Sequence, residues 1–286
     1  MNSSTPFALG VRRLRQHRLA MVSAWLLAFI VVACALGPTV CGWFGLDATT
    51  LDLDLLASPP SRAHPLGTDS LGRDLLVRVL AGGQVALLVG ITATAVALVI
   101  GVAWGAVSGY CGGRIDAVMM RVVDVGYGFP TVVFVVVVRA VFRTHSMVSL
   151  FALIGAISWL TMARIVRGQV LALRRREFVE AARALGAGTG RVLVRHIVPN
   201  TLGPVVVYAT TLVPQAILVE TFLSFIGLGV QAPAASWGTL VTEGSTQIVV
   251  APWVLAGPGI AMGLTIAALN FLGDGLRDAL DPQSRR

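Results

Sequence analysis

Residues Glu180 to Pro199 read EAARALGAGTGRVLVRHIVP, a charged and glycine-broken stretch in an otherwise apolar part of the chain. The sequence from Ser146 to Ala163 carries no charged residue, and neither does the sequence from His196 to Val219. Runs of that kind cross a membrane as helices, whereas the stretch between them has the composition of a surface helix–turn–helix. The pattern predicts a membrane protein with a polar insert that a partner in the aqueous phase can contact.

The composition of the whole chain also indicates several membrane spans. Of its 286 residues, 56% are hydrophobic and 13% are charged, whereas a soluble domain averages about 25% charged residues. The uncharged runs are Leu19 to Leu46, Val79 to Gly113, Ser146 to Ala163, His196 to Val219 and Gly244 to Gly273. About 20 apolar residues cross the hydrocarbon core as a helix. The sequence therefore predicts an all-α membrane protein.

A sixth span is predicted over Val118 to Val138, although it contains Arg121 and Asp124. Both charged residues fall in its first two turns, where an arginine side chain can reach the lipid headgroups. Their i,i+3 spacing also places them to pair with each other. The predicted fold is thus six transmembrane helices, with the polar insert between spans four and five.

The distribution of arginine predicts the orientation, because cytoplasmic loops are enriched in basic residues. All 22 residues counted as Lys or Arg are arginine, and the net charge is +8. With the N-terminus inside, 16 arginines lie in cytoplasmic segments, five lie outside and Arg121 lies within a span. Both termini and the insert are therefore expected in the cytoplasm. Basic and aromatic residues are not interleaved as on RNA-binding surfaces, so no nucleic-acid partner is expected.

The predicted organisation has five parts, and the first two are a cytoplasmic tail (1–18) and a transmembrane helix (19–38). The apolar run of this helix is longer than that of a typical cleaved secretory signal, so an uncleaved span is expected. An extracytoplasmic segment (39–82), a five-helix core (83–273) and a second cytoplasmic tail (274–286) follow. Within the core, spans are expected near 84–109, 118–138, 146–165, 200–227 and 251–273, with the insert at 166–197. In the outer segment, Thr68, Asp69 or Ser70 is a candidate helix cap, and an ordinary folded loop is the favoured alternative.

Two short helices are predicted in the insert. Glu177 to Leu185 is rich in good helix formers, and the glycines at positions 186, 188 and 190 then interrupt the helix. A second helix is expected from Arg191 to Val198, with Pro199 in the first turn of span five.

The first of these helices is the expected contact surface. Ala181 and Ala182 are small enough to let another protein approach the backbone closely, and Glu180 can bind an arginine through both carboxylate oxygens. The alternative is an amphipathic helix held on anionic lipid by the arginines at 174 to 176.

The Glu-Ala-Ala at 180–182, with Gly186 and Pro199, resembles the EAA signature of permease subunits of binding-protein-dependent ABC importers. That signature places a glycine six residues after the glutamate, followed by an isoleucine, a leucine and a proline. Gly186 and Pro199 are in register with it. His196 stands where the signature has isoleucine, and Val198 replaces the leucine.

Four further stretches resemble the C-type permease of the dipeptide/oligopeptide/nickel branch of that family. They are HPLGTDSLGRD (64–74), GGRIDAVMMRVVDVGYGFP (112–130), LSFIGLGVQAPAASWGTL (223–240) and NFLGDGLRDALDP (270–282). The resemblance implies a multi-pass subunit of a bacterial plasma-membrane importer that works by alternating access. It implies that the insert is a coupling element contacting ATPases through Glu180, Ala181, Ala182, Gly186 and Pro199. The implied partners are a second homologous permease, two ABC ATPase subunits or domains, an extracytoplasmic substrate-binding protein and membrane lipid.

No residue for catalysis or for cofactor or metal binding is expected on this chain. It carries no lysine, whereas a phosphate-binding P-loop requires one. ATP and Mg are therefore expected on partner subunits, and the chain is not expected to be an enzyme. Cys34, Cys41 and Cys111 lack metal-site spacing, and no HExxH motif is present.

Glu220 is the candidate residue of the translocation pathway. It lies in the last third of span five, and intramembrane carboxylates are candidates for function. As a pathway residue it would meet a substrate ammonium group. The alternatives are a side chain that is solvated near the outer surface or one that pairs within the bundle.

Di- and oligopeptides are the expected substrates, with nickel chelates and haem as alternatives. A stand-alone secondary transporter would show inverted repeats, and an intramembrane enzyme would show a nucleophile–base pair or a metal site. The sequence shows neither pattern.

Overall fold

The computed structural model describes residues 13–142 and 146–280, and these residues form a helical bundle. Most of the first predicted tail, 1–12, and the end of the second, 281–286, lie outside the described residues. We label the helices α1 Arg18–Trp43, α2 Leu75–Cys111, α3 Gly113–Tyr127, α4 Thr131–Phe142, α5 Met147–Leu173, α6 Glu177–Ala184, α7 Thr189–Val192, α8 Val198–Phe225, α9 Trp237–Ser245 and α10 Pro252–Leu280. A 3₁₀ turn at Leu53–Leu55 lies between α1 and α2.

Five helical segments are long and apolar enough to cross a membrane: α1, α2, α5, α10 and the continuous segment Thr189–Phe225, which includes α8. The prediction of an all-α membrane protein is confirmed. Helix α2 begins at Leu75, inside the segment predicted as extracytoplasmic. Its cap is Asp74, whose Oδ1 accepts a hydrogen bond of 2.9 Å from the backbone N–H of Val77. The candidate cap at Thr68, Asp69 or Ser70 is therefore wrong, and these residues lie in the loop that was the favoured alternative.

The sixth span predicted over 118–138 corresponds to a bent pair of helices, because α3 and α4 meet at an angle of 86°. Pro130 explains the break, since proline lacks a backbone N–H and disfavours helical geometry at the residue before it, Phe129. Asp124 does not pair with Arg121 as expected. Its Oδ1 lies 2.7 Å from Nη2 of Arg164 on α5.

Helices α2 and α5 pack closely and run in the same direction. A Cβ atom added at Gly101 would lie 2.6 Å from Cβ of Met162, and one at Gly109 would lie 2.9 Å from Cβ of Val170. The two helices can therefore approach this closely only because glycine occupies these positions. Since both helices run the same way, the chain between them must cross from one end of the bundle to the other. The bent pair α3–α4 makes that crossing and is the sixth transmembrane segment.

Helix α8 runs opposite to α2, since Gly90 lies against Val213 and Ile217 while Ile197 packs with Ala106 near the end of α2. One end of the bundle consequently holds residues 174–197, the start of α1 and the end of α10. We call it the insert end. Gly275 of α10 lies against Ala20 there. The opposite end, the loop end, holds residues 44–74 and 226–251.

Candidate functional site: the insert, two buried carboxylates and a cavity at the helix break

The insert is a folded element with its own buried residues. Helix α6 matches the helix predicted over 177–185, and its Val179 is completely buried with Val170, Val192 and Ile197 in one apolar cluster. The residues of the second helix expected over 191–198 are helical, but they do not form a helix separate from span five. The chain there forms α7 and a π-helical turn, Leu193–Ile197, that continues directly into α8.

Two arginines tie the insert to the end of α2. Nη1 of Arg174 donates to the carbonyl oxygen of Gly109 at 3.1 Å. Nε of Arg183 donates to the hydroxyl of Tyr110 at 3.2 Å, and its guanidinium lies 5.0 Å from the centre of the Tyr110 ring. Each charged group thus bonds a fixed point on a spanning helix, so the insert is attached to the end of α2.

The predicted contact residues divide into an exposed group and a structural group. Glu180 and Ala181 are exposed, whereas Ala182 is half-buried and packs against the apolar cluster. Gly186 ends the helix with φ +81°, a conformation that favours glycine. Pro199 is exposed in the first turn of α8.

Apolar side chains surround the exposed pair. Leu185 is 89% exposed, and Phe178 and Val194 are also exposed. Phe178, Ala181 and Leu185 are spaced three and four residues apart, so they lie along one side of α6. An exposed apolar strip with an acidic residue beside it has the character of a protein-binding surface.

Glu220 is completely buried in α8. Its Oε1 accepts hydrogen bonds of 2.7 Å from the hydroxyls of Ser224 and Ser236. Ser236 is the N-cap of α9, and a Cβ at Gly238 would lie 2.7 Å from Glu220 Oε2. The solvated alternative is therefore wrong, and the geometry favours the alternative of pairing within the bundle. The pathway role of Glu220 stays a prediction.

The loop end contains a second buried carboxylate, Asp69, which belongs to an ion-pair network. Asp69 Oδ2 pairs with Nε of Arg73 at 2.7 Å and with Nη1 of Arg78. Arg78 also reaches Oε2 of Glu243 on α9 at 2.8 Å. Asp69 and Arg78 are nearly inaccessible to solvent, so the network fixes the outer segment and α9 against the start of α2.

A cavity of about 360 Å³ lies where the α3–α4 break meets α5 and α8. Its polar lining residues are Tyr127, Thr131, Ser158, Thr161, Tyr208 and Gln215. The hydroxyls of Tyr127 and Thr161 are 2.5 Å apart. These residues were not predicted as a site from the sequence, although their spacing indicates that they share helix faces. Ser158 and Thr161 are three residues apart and Tyr208 and Gln215 seven apart, as on one face of a helix.

None of the candidate sites resembles a metal centre. Among residues 13–142 and 146–280, no group of three or more His, Cys, Asp or Glu side chains is arranged to hold a metal ion. The half-buried His64 interacts with a carboxylate and not with a set of metal ligands: its Nδ1 lies 2.8 Å from Oδ2 of Asp74.

Two known protein families match parts of the chain. Residues 97–286 match the family described as binding-protein-dependent transport system inner membrane component, and residues 5–59 match the N-terminal TM domain of oligopeptide transport permease C. The chain is 47% identical to the oligopeptide transport system permease protein OppC of Escherichia coli, over 96% of this chain and 90% of that protein. It is 44% identical to OppC of Haemophilus influenzae, over 96% and 88%. The dipeptide transport system permease protein DppC of Bacillus subtilis is 42% identical, over 96% and 85%.

Proposed function

Because the chain belongs to the family of binding-protein-dependent transport-system inner-membrane components, we propose that it is the permease subunit of an ATP-driven importer of oligopeptides. The observation that carries this proposal is the near full-length identity to permeases named for oligopeptide and dipeptide transport. Those names favour peptides over nickel chelates or haem as substrates. The chain itself is a transport component and not an enzyme.

The insert end of the bundle faces the cytoplasm in this proposal. The insert, the start of α1 and the end of α10 share that end, so a single orientation places all three inside. Arginine is concentrated in the same segments, and the positive-inside rule then favours this orientation. Both termini are cytoplasmic, and the Asp69 network faces outward.

The insert couples the permease to ATP hydrolysis on other chains. Two ABC ATPase subunits or domains bind ATP and Mg, and one of them contacts α6 at Glu180 and Ala181. Closure of the ATPases moves α6, and the bonds from Arg174 and Arg183 carry that movement to the end of α2. Because glycines pack α2 tightly against α5, the two helices move together and change which side of the bundle is open.

The remaining partners follow from the same family. A second homologous permease completes the pathway, and an extracytoplasmic substrate-binding protein delivers the peptide to the loop end. Membrane lipid surrounds the exposed apolar faces of helices such as α1, where Trp25 and Phe29 are each 70% exposed.

Reconstitution of the complete complex in vesicles tests this function. Labelled tripeptide is expected to accumulate inside only when the binding protein is supplied outside with the peptide and the ATPases can hydrolyse ATP. Accumulation without ATP, or ATP-driven uptake of a nickel chelate or haem with none of peptide, would contradict the proposal.

A further inference from the structure

Gln215 has an unusual position for an amide side chain. It lies near the middle of the spanning helix α8 and is exposed on the bundle surface. Among the hydrogen bonds of the described residues, none involves its side chain. A polar group without a partner costs several kcal/mol in hydrocarbon, so this side of α8 does not face lipid tails.

The α3–α4 break leads to the same conclusion. Irregular backbone at membrane depth is tolerated only inside protein or along a water-filled cavity. Phe129 and Pro130 interrupt the helix and line the same cavity as Gln215. The break and the amide therefore both indicate that this cavity is shielded from lipid tails, by protein or by water.

The polar groups that line the cavity are all uncharged. The hydroxyls and the one carboxamide belong to Tyr127, Thr131, Ser158, Thr161, Tyr208 and Gln215, and none of the lining residues is Asp, Glu, Arg or His. Such groups both donate and accept hydrogen bonds. Arg164 is the nearby charge, over the Tyr127 ring at 4.2 Å, and it is paired with Asp124.

The rest of the lining is apolar. Phe129, Ile157, Leu212 and Val219 form a wall that has no hydrogen-bonding side chain. The volume, about 360 Å³, falls within the usual range of ligand pockets, about 300–1,000 Å³.

We propose that this cavity binds the backbone amides of the peptide during translocation, through the uncharged side chains of α3, α5 and α8. This inference rests on the proposed function as a peptide permease. Every peptide residue except proline carries one backbone N–H and one C=O, which the hydroxyls and Gln215 complement. Without a charge in its lining, the cavity does not select peptides by the charge of their side chains. The apolar wall accommodates side chains without specific bonds.

The test compares Gln215 variants in the complete complex reconstituted in vesicles. Initial uptake rates are measured over a range of concentrations for Ala-Ala-Ala, Ala-Lys-Ala and Ala-Glu-Ala. Gln215→Leu is expected to lower kcat/KM by about fivefold to tenfold, as for one lost hydrogen bond, and by the same factor for all three peptides. Thr92→Val is the control, because it removes a hydroxyl from α2 that bonds its own helix at Leu88 and does not line the cavity.

Gln215→Glu gives the sharper result. A carboxylate placed in an uncharged cavity is expected to favour Ala-Lys-Ala over Ala-Glu-Ala by at least several-fold, whereas the original complex does not distinguish them at this step. Wild-type kinetics for all three peptides in both variants would overturn the inference and leave the proposed function standing. A wild-type complex that takes up no peptide would contradict the proposed function and the inference together.

Discussion

Nη1 of Arg174 lies 3.1 Å from the carbonyl oxygen of Gly109, so the residue that follows α5 is bonded to the last turn of α2. Gly112, which directly follows α2, leaves space for the side chain of Arg174. Gly112 has φ +67°, and a Cβ there would lie 2.6 Å from the same Nη1 atom. The bond connects the start of the insert to the end of α2, and the proposed coupling mechanism depends on this connection.

Replacing Arg174 with glutamine is expected to uncouple ATP hydrolysis from transport. The shorter side chain cannot reach Gly109, so movement of α6 is transmitted less well to α2. Uptake per ATP hydrolysed should fall several-fold while the ATPases remain bound. Arg175→Gln is the matched control, because Arg175 is exposed. Equal ratios of uptake to hydrolysis in the two variants would contradict the role of Arg174.

Replacing Glu180 with arginine is expected to abolish uptake without preventing membrane insertion. Glu180 is exposed, so the substitution disturbs no buried contact and changes only the charge presented to the ATPase. Glu177→Arg makes the same charge change one turn earlier on α6 and is expected to retain more activity. The measurement is peptide uptake together with co-purification of the ATPase. Normal association and transport in the Glu180 variant would refute the docking role.

Glu220 variants distinguish a structural role from a pathway role. Glu220→Gln keeps an oxygen that can accept from Ser224 and Ser236, so it should fold and transport with unchanged affinity. Glu220→Ala leaves both hydroxyls without their acceptor, at about 1–3 kcal/mol for each unsatisfied buried group. Thermal unfolding of the purified subunit should therefore show a lower Tm for the alanine variant only. A Gln variant with normal Tm and greatly weakened peptide affinity would instead support the pathway role.

Much of the bundle could be predicted because each span is an apolar run of sufficient length. The break between α3 and α4 was missed, since Val118 to Val138 also has that length and apolarity. Gly126, Gly128 and Pro130 did signal the break, but composition alone gives them little weight. The parallel packing of α2 with α5 depends on which residues meet in space, and no periodicity in one helix reveals it.

The candidate site was predictable only in part. The helix at 177–185 followed from local propensity, and the Glu-Ala-Ala at 180–182 was found by resemblance. Sequence could not separate Ala181, which is exposed, from Ala182, which packs inward, because that difference depends on where Val179 is buried. The cavity was missed because its polar residues come from three segments that are distant in sequence.

The network at the loop end predicts a large stability effect for one arginine. Arg78→Gln removes the buried arginine of the network, whereas Arg73 still contacts both Asp69 and Glu243. The expected cost is therefore below the about 3–5 kcal/mol of a buried charge left with no partner, but well above that of an exposed position. Arg62→Gln, at an exposed position of the same outer segment, should change stability by less than about 0.5 kcal/mol. Both can be read from the denaturation of the purified subunit. A similar Tm for the two variants would show that the network contributes little.

Site-specific cross-linking between the insert and the ATPase tests the docking of α6 most directly. The three native cysteines, Cys34, Cys41 and Cys111, are first replaced by alanine, since they are not paired in disulfides. A single cysteine is then introduced by Ala181→Cys. Ser70→Cys, at the loop end, is the control. The Ala181→Cys variant is expected to cross-link to the ATPase and to react with impermeant thiol reagents only from the cytoplasmic side. The Ser70→Cys variant is expected neither to cross-link to the ATPase nor to react from the cytoplasmic side. Labelling of the Ala181→Cys variant from outside, or no cross-link to the ATPase in a complex that still transports peptide, would contradict the assignment of α6 as the coupling element.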